Sequence, residues 1–103
     1  MLFKKIILIL VFLTFSSSTF ADDKMALGLE VYNNKAQCGV CHALQAAGSD
    51  GQIGPDFDLL KLQIPQIISA VTNGIGVMPS WEGILTYEEI EAVAYYVFNS
   101  TNK

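Results

Sequence analysis

Two cysteines and the only histidine of this 103-residue chain stand within five consecutive positions, Cys38, Cys41 and His42 in the stretch QCGVCHALQ. Thiolate and imidazole are the side chains that bind soft metals or do redox chemistry, so the sequence concentrates that capacity at one point. Several uses are weak on spacing alone. A disulfide between residues three apart closes almost no loop and removes little entropy from the unfolded chain. Zinc needs four ligands, and no second cysteine or histidine cluster is present to complete a tetrahedron. A thioredoxin-like dithiol follows a strand in an alternating α/β pattern, and no such strand pattern is visible here.

The arrangement that fits is C-x-x-C-H, the attachment signature of c-type haem. Positions i, i+3 and i+4 share one face of a helical turn. Cys38 and Cys41 can then reach two vinyl groups while His42 turns toward the iron. Because His42 is the sole histidine, a second imidazole cannot come from the same chain. The sixth position falls to a methionine, a lysine, the terminal amine or an open site. Of the three methionines, Met1 belongs to the leader described below, and Met25 opens an amphipathic segment where a thioether is ordinary core filling. Met78 lies in NGIGVMPSW. Gly74 and Gly76 allow tight turns there, and Pro79 keeps the preceding backbone extended. Met78 is therefore the expected partner of His42 on the metal.

The first residues, MLFKKIILILVFLTFSSSTFA, carry two lysines, an apolar run from Ile6 to Leu13, then small polar residues ending in Ala21. That order predicts an export signal spanning residues 1–21, too short in its apolar part to span a bilayer. Residues 22–103 form the expected single domain, placed in the periplasm. Loss of Lys4 and Lys5 leaves four lysines against ten acidic residues, a net charge of −6 with no arginine. This charge disfavours nucleic acid and anionic lipid, and steers the chain toward a basic docking surface on a partner.

The remaining pattern is helical. Residues 24–37 carry Leu27, Val31 and either Met25 or Leu29 on one side at helical spacing. IPQIISAVTNG places Pro65 at a helix start, Ile64, Ile67, Ile68 and Val71 in a stripe, and Gly74 at the stop. The last helix opens on a capping box, Thr86 with Glu89, and buries Ile90, Val93, Ala94 and Val97. Glu88, Glu89 and Glu91 form an expected solvated face. Asp56 and Asp58 flank Phe57 in a loop and read as turn residues rather than as a catalytic pair.

CGVCH, IGPDF, GVMPSW and LTYEEIEAVAYYV, in that order, resemble the class I cytochrome c family over residues 25–100. The resemblance implies an all-α fold of three to four helices around one covalently bound haem c. It implies that the Pro55 carbonyl accepts the Nδ1 proton of His42. It also implies that the first and last helices cross through Gly28, Tyr32 and Tyr96 with Val93, Tyr95 being the competing aromatic. Trp81 would donate to a propionate or cover the haem edge. Without arginine, Lys61, backbone amides, Tyr or Trp would hold the propionates. The implied function is one-electron transfer between redox proteins such as a dehydrogenase, an oxidase or a bc1-type complex. AAGSDGQIGPDFDLL with AVTNGIGVMPSW is similar to the monohaem subunits of periplasmic sulfite dehydrogenases. Two other classes remain open, a ligand-binding or catalytic haem protein in which Met78 is absent from the iron or easily displaced, and a haem-free dithiol oxidoreductase.

Overall fold

A computed structural model describes residues 19–103. The predicted leader, residues 1–21, lies outside these apart from its last three positions. Helix α1 runs over Thr19–Glu30 and continues into a π turn, Val31–Lys35. It already includes Thr19, the first described residue, so it extends at least five residues before the expected start and Ala21 is helical. It ends before Gln37, which adopts a left-handed backbone (φ 51°) and frees the chain to enter the cysteine segment. The π turn closes with the Ala36 N–H on the Val31 carbonyl at 2.8 Å. The consecutive residues Val31 and Tyr32 of this turn are both completely buried.

After the cysteine segment a two-residue antiparallel ladder pairs β1 (Ala43–Leu44) with β2 (Ser49–Asp50). This small ladder was not expected from the sequence. Helices α2 (Phe57–Leu60), α3 (Ile64–Asn73) and α4 (Tyr87–Thr101) follow. The predicted start and stop of α3 hold, with Pro65 in its first turn and Gly74 beyond its end. The Gln63 N–H donates to Gln66 Oε1 at 2.9 Å, an N-terminal cap that sequence reading overlooked. In α4 the capping box is formed in both directions: Glu89 N–H to Thr86 Oγ1 at 3.1 Å, and Thr86 N–H to Glu89 Oε1 at 2.9 Å. Among the described residues no helix is long and apolar enough to cross a membrane.

The core gathers Val31, Tyr32, Leu44, Phe57, Ile67 and Val71 with Leu85, Ile90, Val93, Ala94, Tyr96 and Val97. Its backbone is the crossing of α1 with α4. A Cβ built on Gly28 would meet the Ala92 carbonyl oxygen at 2.3 Å and Tyr96 Cβ at 2.5 Å, so the two helices touch main chain to main chain. Tyr32 and Tyr96 fill the space beside that contact with ring centroids 5.9 Å apart and planes tilted by 58°, a favourable edge-tilted geometry. Tyr96, rather than Tyr95, is therefore the crossing aromatic. The main chain of Ala92 lies directly against Gly28, and Val93 is buried in the same core.

The acidic side of α4 is less solvated than expected. Glu89 is buried to 9% exposure and paired with Lys35, which holds its carboxyl below the ordinary carboxylate range together with the Thr86 backbone. Glu91 meets Lys24 at 2.5 Å, with both side chains more than a third exposed. Such a pair contributes at most about 1 kcal/mol. Both bridges nevertheless pin the segment Lys24–Lys35 to the same helix that Gly28 approaches.

Substituting Gly28 by alanine is expected to cost on the order of 2 kcal/mol, the usual penalty for overpacking, since the Ala92 carbonyl is main chain and cannot swing away. Denaturant unfolding of the haem-loaded protein measures this; an unchanged midpoint would show that the crossing relaxes without strain.

Candidate functional site

The cysteine segment is one tight turn. Cys38–Val40 is a 3-10 turn in which the Cys38 carbonyl accepts the N–H groups of both Cys41 (3.1 Å) and His42 (2.9 Å). This shared acceptor places positions i, i+3 and i+4 on a common side of the backbone. Both thiols are free and half-buried, and His42 is buried at 7% exposure. Burial pushes the Cys38 thiol up to about 11. A dithiol oxidoreductase needs the opposite, a thiol depressed toward neutrality so that thiolate can attack. Burial of this kind is the setting of an inert thiol rather than of a reactive one.

His42 Nδ1 lies 2.8 Å from the carbonyl oxygen of Pro55. A carbonyl only accepts, so the proton sits on Nδ1 and the lone pair remains on Nε2. This is how metal-bound histidines are ordinarily oriented. Pro55 itself is exposed; the loop below positions its carbonyl. The Gly54 N–H donates to the Cys41 carbonyl at 2.7 Å. A Cβ on Gly51 would stand 2.5 Å from the Cys41 carbonyl carbon and 2.6 Å from His42 N. The loop thus passes directly beneath the attachment turn, in space that only glycine leaves open.

From the other side the buried Tyr32 hydroxyl shares a 2.8 Å hydrogen bond with Ser49 Oγ, which β2 presents to it. Burial is the main cause pushing the phenol up to about 12, so it stays a neutral donor. Asp56 caps α2 by accepting the Asp58 N–H at 2.9 Å, and Asp58 Oδ2 accepts the Gln45 N–H at 2.8 Å. Both aspartates have structural partners, but Phe57 and Asp58 stand in helix α2 rather than in the expected loop.

Met78 and Trp81 lie on a separate loop. Ile75 and Met78 exchange two backbone hydrogen bonds (3.1 and 2.9 Å) across a two-residue turn, with Gly76 at φ 57°. Gly74 has φ 73°, and a Cβ there would meet the Met78 carbonyl oxygen and Ser80 N, each at 2.7 Å. The loop also caps the end of α3: Trp81 N–H donates to the Val71 carbonyl (2.9 Å) and Ser80 Oγ to the Thr72 carbonyl (2.6 Å). These bonds satisfy carbonyls that a helix end leaves without partners. Cys38, Met78 and Trp81 are all half-buried against the same core cluster. Lys61 sits exposed at the end of α2, with φ 47° and its N–H on the Phe57 carbonyl.

Sequence reading overlooked four contributors: Ser49, Gly51, Gly54 and Phe57. The Phe57 ring stacks on His42, and the signal for it was an aromatic two residues past the proline of IGPDF. Among the described residues no group of three or more His, Cys, Asp or Glu could hold a bare metal ion. The donor set of two free thiols and one Nδ1-protonated imidazole instead suits a metal that arrives in its own macrocycle. Gly51→Ala is expected to abolish covalent haem attachment, because the clash is with the backbone of Cys41 and His42; haem staining of the denatured protein checks this, and wild-type staining would overturn it.

Comparison with known proteins gives the same reading. A family profile described as "Cytochrome C oxidase, cbb3-type, subunit III" matches residues 23–97. The chain is 34% identical over 88 residues to cytochrome c6 of Tetradesmus obliquus, covering 76% of this chain and 92% of that one. It is 35% identical over 85 residues to cytochrome c6 of Chlorolobion braunii, covering 73% and 89%. The crystal structure of the c-type cytochrome SorU from Sinorhizobium meliloti superposes with a TM-score of 0.74 at 46% identity, over 80% of this chain and 95% of that one. With its helices and its paired thiols so arranged, the chain belongs to the small class I c-type cytochromes, electron carriers with one haem c, attached here through Cys38 and Cys41.

Proposed function

We propose that this protein is a periplasmic one-electron shuttle whose iron is bound by His42 Nε2 and Met78 Sδ. The observation that carries the reading is the 2.8 Å bond from His42 Nδ1 to Pro55, which leaves Nε2 as the free donor of the only histidine. Haem c, when bound, supplies reversible exchange of one electron. The polypeptide supplies the rest. Cys38 and Cys41 fix the macrocycle to the attachment turn. Met78 stands on a loop whose backbone is bonded to the end of α3, so its sulfur can be offered without ordering a mobile segment. Were His42 and Met78 both to hold the iron, no position would be left for a substrate, and the thioether would raise the reduction potential. Asp56 and Asp58 are engaged in backbone hydrogen bonds, which accounts for this pair of carboxylates without acid–base chemistry.

Three further features belong to this proposal. Export with cleavage after Ala21 is supported by the leader pattern, and it would leave Asp22 and Asp23 at the start of α1, where the helix dipole favours anions. A basic docking surface on the partner is supported by the net charge of −6 on residues 22–103. A sulfite dehydrogenase as donor, with a terminal oxidase as acceptor, is supported by the likeness of residues 46–60 and 70–81 to the cytochrome subunits of such enzymes.

Met78→Ala, expressed with haem-attachment machinery, is expected to lose the weak red absorption of thioether-bound ferric iron. It should also bind carbon monoxide when reduced, and show a lower potential. An unchanged spectrum and potential would remove Met78 from the metal. For the partner, protein isolated from the periplasm of the native host should begin at Asp22 and be reduced by sulfite in periplasmic extract, more slowly as salt rises. Absence from the periplasm would refute the export reading, and a failure of sulfite to reduce it would refute the donor.

A further inference from the structure

His42 is held by more than its hydrogen bond. The Phe57 ring lies nearly parallel to the imidazole, with centroids 4.3 Å apart and 18° between planes. A Cβ built on Gly54 would fall 2.4 Å from His42 Cε1, 2.7 Å from Nδ1 and 2.9 Å from Nε2. Such similar distances to three neighbouring ring atoms put that point above the ring face, not beyond its edge. The three nearest atoms all belong to His42, so Phe57 covers the opposite face. The imidazole is a slab between a flat aromatic ring and a stretch of bare backbone.

A single in-plane hydrogen bond fixes the tautomer but leaves the ring free to rock about the Nδ1 to oxygen line. Histidine χ2 has a broad torsional profile with no sharp preferred value, so packing must choose the angle. Gly54 and Phe57 close the two directions of rocking. Phe57 is itself braced: it is 8% exposed and opens the four-residue helix α2. That helix is capped by Asp56, closed by the Lys61 N–H on the Phe57 carbonyl, and tied by Asp58 to Gln45, three residues past His42. This gives α2 a purpose, since four residues bury little surface for their own sake.

We propose that Phe57 is a positioning residue that sets the rotation of the His42 imidazole plane and, with it, the direction in which the axial ligand's π orbital meets the macrocycle. This rests on His42 being an iron ligand. The direction matters because it decides which pyrrole pair carries the unpaired spin of the ferric state.

The test is proton NMR of the ferric cyanide adduct of the haem-loaded protein. Cyanide displaces the sixth ligand and is cylindrically symmetric, so the four haem ring-methyl shifts then report the imidazole plane alone. Phe57→Met refills the volume without a flat face, and Phe57→Tyr keeps the face. The methyl shift pattern should change in Phe57→Met and return to that of the wild type in Phe57→Tyr. Should Phe57→Met fail to hold haem, Phe57→Leu and Gly54→Ala, which pushes on the ring from the other side, are read in the same way and should each alter the pattern. A wild-type pattern in a haem-loaded Phe57→Met or Phe57→Leu variant overturns the proposal. Absence of strongly shifted imidazole protons from the wild-type adduct would instead mean that His42 is not on the iron, a failure of the underlying reading and not of the packing argument.

Discussion

The constraint on which the site depends is that a peptide carbonyl can only accept a hydrogen bond. By meeting His42 Nδ1 at 2.8 Å, the Pro55 carbonyl decides where the imidazole proton resides, and so which nitrogen can bind a metal. Everything around it serves to bring that carbonyl into place. The loop from Gly51 to Pro55 must run directly beneath Cys41 and His42, and two glycines make this possible: a side chain at Gly51 would collide with the attachment turn, and one at Gly54 with the imidazole itself. Proline then ends the loop with a fixed φ, and the Asp56 cap turns the chain into α2.

Two braces hold the loops that flank this point. The first is the crossing of α1 and α4, where Gly28 lets main chain meet main chain and Tyr32 and Tyr96 close the gap. Tyr32 has a second duty, because its hydroxyl reaches Ser49 and so ties the crossing to the ladder that follows the haem motif. Tyr32 lies in the π turn, buried alongside Val31. The second brace is the end of α3, whose unpaired carbonyls capture the Met78 loop through Trp81 and Ser80. The same bonds that finish a helix therefore position the candidate sulfur ligand.

What could be read from the sequence was whatever repeats at helical spacing or depends on residue type alone. The stripe of α3, the capping box of α4, the attachment motif and the glycine-rich Met78 loop all have such local signatures, and their helices appear where those signatures put them. The π turn and the pairing of Glu89 with Lys35 have no such signature, the pairing because it depends on two elements coming together. Glu89 is an ordinary charged helix residue until α1 arrives beside it. The Ala92 contact was missed for a similar reason: which residue of α4 faces Gly28 depends on the crossing geometry, and Val93 is only one helical step away. The stacking of Phe57 on His42 joins residues fifteen apart through a loop with no periodicity, so residue type suggested an apolar contact but not its target.

The distribution of burial explains why attachment is covalent in this architecture. Most of the buried apolar residues come from α1 and its π turn, α3 and α4, whereas the whole stretch from Ala43 to Leu62 contributes only Leu44 and Phe57. That stretch is held instead by directional contacts: a two-residue ladder, two aspartate bonds and glycine passages. Directional contacts define a shape but contribute only about 1 kcal/mol each, and a domain of this size has little surplus stability. Two thioethers from the attachment turn remove the option of losing the cofactor while the loops open. The helices give the protein its stability, the loop gives the imidazole its orientation, and the covalent bonds let the second rely on the first.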